Sequence, residues 1–172
     1  PEDLAAVEEL LETQERRQFK LYGKPCVMRR KQIMFGQPYK FSGVTVQCAD
    51  TTPALVETCL AWTKEEFPEL ESNAVLANLY EPTDYISAHR DNEGKHAVGK
   101  PIVGFSFGEE RELEIKSYKR KRDDEGYFRQ KYPLPSGSVY AMTGARFQRD
   151  FTHAVATGKA GTRVSLTCRE FV

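Results

Sequence analysis

The stretch Arg163-Val164-Ser165-Leu166-Thr167-Cys168-Arg169 alternates without a break. Successive side chains of a β-strand point to opposite faces. Arg163, Ser165, Thr167 and Arg169 therefore share one face, and Val164, Leu166 and Cys168 share the other. If the apolar face packs on a core, the polar face turns two guanidiniums and two hydroxyls toward an interior. A buried guanidinium needs an anionic partner, and arginine grips a carboxylate through two parallel bonds. A small dicarboxylate is one such partner. The plainer alternative, two exposed arginines on an edge strand, fits poorly with so clean an apolar face.

The preceding sequence is strand-like too. Residues 73–80, 102–107, 113–116, 137–142 and 162–171 alternate, separated by turn residues such as Glu81-Pro82, Pro135-Ser136-Gly137 and Gly158 to Gly161. Further upstream, Leu4, Val7, Leu10 and Leu11 recur at helical spacing, which predicts a helix over 2–18 with acids early and Arg16 and Arg17 late. Residues 19–47 read as short strands broken by Gly23, Gly36, Pro38 and Gly43. A second helix starts after Thr52, with Pro53 in its first position, and ends at Pro68. Two helices followed by a run of strands predict an α+β fold, an antiparallel sandwich or barrel with helices on one face.

The chain has 172 residues, 40% hydrophobic and 11% aromatic, which suits one domain with a real core and excludes a disordered chain. No apolar run approaches the ~20 residues of a membrane span. The acidic start Pro1-Glu2-Asp3 is unlike a signal or transit peptide, and a chain beginning at Pro1 reads as trimmed. Four scattered cysteines without a CxxC pair argue against a zinc cage and fit an intracellular, reducing compartment. The net charge of zero hides a polarity. Residues 16–31 carry seven Lys/Arg and no acid, residues 116–122 carry five more, and the rest holds 13 basic against 25 acidic residues. Each run alone is a solvated face; two runs, one interleaved with aromatics, point toward nucleic acid.

The chemistry-bearing motif is His89-Arg90-Asp91, with His153 far downstream. Residues i and i+2 of an extended segment face the same way, so His89 and Asp91 reach one ion together. His153 on a neighbouring strand completes two imidazoles and one carboxylate, the set of non-haem Fe(II) oxygenases. His-x-Asp alone carries little, since with three histidines it arises by chance in roughly one such chain in eight. By itself it reads as a salt-bridged surface histidine, and His96 in its Gly/Lys-rich loop as solvated. Asn78 and Tyr80 share one face of the strand leading to His89, where they suit an oxygen-rich ligand.

Taken together, Asn78-Leu79-Tyr80, His89-Arg90-Asp91-Asn92-Glu93, Pro101 to Gly108, Ser136-Gly137-Ser138, His153 and Arg163 to Arg169 resemble the AlkB family of Fe(II)- and 2-oxoglutarate-dependent dioxygenases. Order and spacing agree from about residue 25 to the end. The resemblance is greatest to the member that repairs alkylated bases in duplex DNA. It implies a double-stranded β-helix (jelly roll) with N-terminal helices buttressing one sheet. It also implies a single domain over 1–172, with a nucleotide-recognition lid at 19–47 and a jelly-roll core at 73–172. Fe(II) is expected on His89, Asp91 and His153. The cosubstrate 2-oxoglutarate is expected on Asn78, Tyr80, Arg163, Ser165, Thr167 and Arg169.

By the same resemblance, Arg30 and Gln32 belong to the substrate lid, Tyr39, Phe41 and Ser42 to the base pocket with Glu93 at its polar edge, and Tyr22 to a finger that fills the gap left by a flipped base. The expected reaction is oxidative demethylation of bases such as 1-methyladenine and 3-methylcytosine, using dioxygen, converting 2-oxoglutarate to succinate and releasing formaldehyde. Lys116 to Arg122 falls where that relative grips the opposite strand. Ser165 where the family usually has Asn, Asn92 for Asp and Met28 for Pro are departures. Expected partners are DNA, duplex favoured, or RNA, with no membrane. A monomer is expected, in the nucleus if eukaryotic and otherwise cytoplasmic. Three alternatives remain: the same chemistry on RNA or single strands, a 2-oxoglutarate oxygenase acting on protein or a small molecule, and a non-enzymatic barrel.

Overall fold

The computed structural model describes residues 2–21, 23–41, 44–91, 97 and 99–172, and for residues 21, 41 and 44 the backbone alone. The chain opens with α1 (Glu2–Glu12), the hairpin β1 (Gln18–Leu21) and β2 (Lys24–Val27), then β3 (Lys31–Gly36), β4 (Tyr39–Phe41), β5 (Val44–Val46) and α2 (Ala54–Glu66). Strands β6 (Ala74–Tyr80), β7 (Ile86–His89), β8 (Ile102–Gly108), β9 (Arg111–Ser117), β10 (Arg129–Leu134) and β11 (Ser138–Met142) follow. A single turn of helix, α3 (Phe147–Asp150), leads into β12 (Phe151–Val155), and β13 (Arg163–Arg169) closes the chain. Among the described residues no helix is long and apolar enough to cross a membrane.

Two antiparallel sheets face each other in a double-stranded β-helix, as the family resemblance implies. The larger has the order β11-β8-β13-β6-β3 and the smaller β10-β9-β12-β7. Burial decides which face of the larger sheet looks where. Val164, Leu166 and Cys168 are fully buried and join one core cluster with Val75, Ala77 and Leu79 of β6, Val7 and Leu11 of α1, and Val56 and Cys59 of α2. The helices therefore cover the outer face, and the polar alternates of β13 and β6 face the space between the sheets.

Some boundaries differ from the predicted ones, for tertiary reasons. The first helix stops at Glu12 rather than residue 18. Thr13 Oγ1 donates to Leu10 O at 2.8 Å. Arg16 leaves the helical path to meet both oxygens of buried Asp84 at 2.9 Å, and Arg17 Nη1 donates to Thr45 O. The helix dipole is a weak attraction beside a bidentate ion pair. At α2 the cap position is Pro53, extended at ψ 151, with no side-chain cap bond. Thr52 thus lies one residue outside the expected cap. Of the strands, β10 has no counterpart among the predicted elements. Edge strand β10 is mostly exposed, so it shows no alternation to read.

Glu109, just after β8, fastens the connection that feeds β13. Its Oε1 accepts the N–H of Ala160 at 2.8 Å and of Lys159 at 3.0 Å. Its Oε2 lies 3.3 Å from Arg111 Nε. The backbone N–H groups of Ala160, Gly161 and Lys159, with Arg111 beside them, hold the carboxyl down at about 2. The unfolded chain keeps the ordinary 4.5, so between those values the native state binds fewer protons. The contribution of Glu109 to stability is complete above pH 4.5 and lost as pH falls toward 2. Thermal unfolding followed from pH 6 to 2 is expected to fall less steeply for Glu109→Gln than for the unaltered chain.

Candidate metal and cosubstrate site

His89 ends β7, and His153 lies directly opposite it in β12 as a registered pair. Facing residues of antiparallel strands bring their side chains together, so the two imidazoles stand 4.1 Å apart between centroids. Asp91 follows two residues after His89. Its Oδ1 lies 3.4 Å from His89 Nε2 and its Oδ2 3.8 Å from His153 Nε2. One donor atom from each of the three falls within 4.8 Å of the other two. The three side chains predicted to converge do so.

The surroundings prepare each group to donate to a cation. His89 Nδ1 sits 2.9 Å from Ser87 O; in the tautomer that donates this bond, the Nε2 lone pair is free. Burial pushes the His153 imidazole down to about 4, so it is neutral at physiological pH. Burial alone would raise the Asp91 carboxyl, but Arg169 and the two histidines hold it well below the usual carboxylate range. Arg169 Nη2 touches Asp91 Oδ2 at 2.9 Å. The Asp91 N–H donates to Gln148 Oε1 of α3 at 2.8 Å. Gln148 escaped the sequence analysis because a one-turn helix leaves no periodic signal.

The other end of the site is built from rows of residues crossing the larger sheet. Ser138, Ser106, Ser165, Asn78 and Gln32 stand opposite one another across five strands. Arg163, only 1% exposed, donates from Nε to Ser106 Oγ at 2.8 Å. Its Nη1 and Nη2 are buried with no hydrogen-bond partner. Tyr80 lies against the guanidinium, ring centre 5.1 Å from Cζ. A buried fork with both amino groups unmet is the complement of a carboxylate. A cavity of about 610 Å³ runs between this fork and the His89-Asp91-His153 cluster, with Thr167, Ser165 and Asn78 along it.

Arg30 and Gln32, expected in the substrate lid, both bond Asn78 in the row that crosses the larger sheet. Arg30 Nε and Gln32 Nε2 both donate to Asn78 Oδ1 at 2.8 Å, and Asn78 Nδ2 donates to Ser165 Oγ at 3.3 Å. Both arginine and glutamine still line the cavity. Ser165 thus takes its place in the row despite being shorter than asparagine. Arg169, predicted on the cosubstrate, serves Asp91 and also stands over the Tyr39 ring at 5.3 Å. Tyr39 stacks on Phe171 with centroids 5.5 Å apart. Tyr22, Ser42, Asn92, Glu93 and His96 lie outside the described residues, as does the side chain of Phe41.

The donors fit the chemistry of an iron-dependent oxygenase. Two imidazoles and an ionised carboxylate suit Fe(II) and leave coordination positions for other ligands. The unmet Arg163 fork suits the second carboxylate of a diacid reaching toward the metal.

Comparison with known proteins agrees. The family model of the 2OG-Fe(II) oxygenase superfamily matches residues 1–169. The chain belongs to that superfamily and is AlkB-like within it. Its cofactors are Fe(II) and 2-oxoglutarate. It is 31% identical over 122 residues to the DNA oxidative demethylase ALKBH2 of Arabidopsis thaliana, a match over 59% of this chain and 38% of that protein. To the DNA oxidative demethylase ALKBH2 of Bos taurus it is 35% identical over 95 residues, 51% of this chain and 32% of that protein. The matches thus span about a third of these curated relatives. The solved structure of OsALKBH1 superposes with a TM-score of 0.60 at 17% identity, over 98% of this chain and 92% of that one, which is a likeness of fold.

Proposed function

We propose that this protein removes N-methyl groups from nucleobases in DNA by oxidation, with 1-methyladenine and 3-methylcytosine as the expected lesions. The observation that carries this reading is the single cavity joining the His89-Asp91-His153 cluster, the open Arg163 fork, and a wall from the basic N-terminal third that includes Phe19, Met28, Arg29 and Arg30. Similarity to two DNA oxidative demethylases supports the substrate class.

Bound in this cavity, Fe(II) and 2-oxoglutarate supply the oxidation of an N-methyl carbon by dioxygen, with succinate, carbon dioxide and formaldehyde as products. The chain supplies the placement. His89, Asp91 and His153 hold the metal. Arg169 keeps Asp91 ionised, and Gln148 fixes its backbone. Arg163 and Tyr80 take the far carboxylate of the cosubstrate, while Asn78, Ser165 and Thr167 border its path. Apolar Met28, Leu76, Met142 and Val155 line the rest of the cavity.

A base reaches such a depth only when flipped from its stack. We assign residues 19–47 as the lid over it, with Tyr39 in the pocket wall and the partly exposed His89 ring available to one face of the base. Two arginine–aromatic pairs, Arg29 over Tyr85 at 5.4 Å and Arg90 over Tyr118 at 3.7 Å, suit phosphates and stacked bases on the approach. Exposed Lys119, Arg120, Lys121 and Arg122 extend the positive surface, so binding should weaken steeply with salt.

The test is turnover of oligonucleotides carrying 1-methyladenine, as duplex and as single strand, with Fe(II). Equimolar succinate and formaldehyde are expected with 2-oxoglutarate present and neither without it. Formaldehyde from single strands or RNA alone would reassign the substrate to those forms. Succinate formation that no nucleic acid stimulates would overturn the reading.

A further inference from the structure

Tyr140 has no place in the chemistry above, yet it lines the same cavity as Arg163 and Tyr80. It sits on edge strand β11, directly opposite Gly104 of β8, which in turn stands opposite Thr167 of β13. A Cβ on Gly104 would fall 2.2 Å from Tyr140 Cζ and 2.5 Å from its Oη. The far end of the ring therefore covers the ground a side chain at 104 would fill. Neighbouring strands lie about 4.8 Å apart, so a ring that has crossed to Gly104 points its hydroxyl onward to β13. Two residues along β8, on the same face, Ser106 anchors Arg163 through Nε. The hydroxyl and the unmet fork thus face the same cavity from neighbouring positions on one sheet. Burial raises the phenol above its ordinary value, so it keeps its proton as a donor at neutral pH.

We propose that Tyr140 is a third cosubstrate-binding group beside Arg163 and Tyr80, donating its hydroxyl proton to the distal carboxylate of 2-oxoglutarate, and that the bare backbone at Gly104 is the opening through which it reaches. This rests on the assignment of the Arg163 fork to that carboxylate. It follows that residues 104 and 140 act as a pair. A side chain at 104 and a phenol at 140 exclude each other, and only glycine at 104 admits the extra donor. The backbone at Gly104 is ordinary extended strand, and the atoms in the way are the movable end of a side chain. Gly104→Ala should therefore evict the ring without breaking the sheet.

The experiment uses the full chain loaded with Mn(II), which permits binding without turnover, and titration calorimetry with two probes. One is 2-oxoglutarate; the other is 2-oxovalerate, the same chain with a methyl in place of the distal carboxylate. Tyr140→Phe is expected to weaken 2-oxoglutarate about ten-fold, the usual loss for one hydrogen bond to a charge, and to leave 2-oxovalerate unchanged. Gly104→Ala should do the same, and the double variant should be no worse than either single one. Unchanged 2-oxoglutarate affinity in Tyr140→Phe overturns the proposal, as does equal weakening of both probes. Arg163→Met separates the two readings. If it loses 2-oxoglutarate while Tyr140→Phe does not, only the role of Tyr140 falls. If the unaltered protein takes Mn(II) but not 2-oxoglutarate, or Arg163→Met binds as well as the unaltered chain, the cosubstrate assignment itself is wrong.

Discussion

Asp91→Ala is expected to abolish iron retention and formaldehyde release together, and to cost about 3–5 kcal/mol of stability, the usual consequence of removing one partner of a buried ion pair. Both effects come from one carboxylate. It is 5% exposed, stands between the two imidazoles and is the anion within 2.9 Å of the Arg169 guanidinium. Without it, a cation 6% exposed loses its counter-charge, and the ion loses one of its three protein donors and the only anionic one. Asp91→Asn separates the effects. The amide keeps the shape and one oxygen but no charge, so metal affinity should drop more than 100-fold with less damage to folding. Metal content measured on purified protein, Mn(II) titration and thermal unfolding monitored by circular dichroism read the three quantities. Full metal content in Asp91→Ala would remove the basis for placing iron here.

Arg163→Met has the opposite signature. In the free protein the two amino groups of Arg163 are buried without hydrogen-bond partners, which is costly. An apolar side chain of similar volume at such a position is commonly neutral or stabilising, here by on the order of 1–3 kcal/mol. The same change should remove more than 100-fold of the affinity for 2-oxoglutarate, because a bidentate, desolvated charge pair is lost. The two effects appear in one melting experiment with Mn(II) present. The unaltered chain should gain about 2.7 kcal/mol when 2-oxoglutarate is at a hundred times its dissociation constant. The variant should start at an equal or higher midpoint and not move. A variant that melts lower and still responds to 2-oxoglutarate would mean that Arg163 is a structural cation, neutralised by something other than the cosubstrate. The same arginine would then weaken the argument for Tyr140, since both rest on one carboxylate.

Much of this was legible in β13. Strict alternation of charge and hydrocarbon over seven residues has one economical solution, a strand between an apolar layer and a polar cavity. All seven residues are buried, which is what such a strand requires. The convergence of His89, Asp91 and His153 was legible only through their fit to a known pattern, because spacing in the chain says nothing of which strands pair. The first helix stops at residue 12, short of the predicted 18, for a similar reason. Arg16 suits a helix end as well as a salt bridge, and the competing partner, Asp84, lies 68 positions away.

Local periodicity set the element types and the inward face of each core strand, because alternation is a property of one segment and needs no partner. Register across strands was decided by the folded chain alone. It set His89 against His153, left the Arg163 fork unmet, moved Arg169 onto Asp91 and Gln32 onto Asn78, and laid Tyr140 over Gly104. Those contacts depend on distances between segments far apart in the chain, and such distances exist only once the sheets have closed on each other.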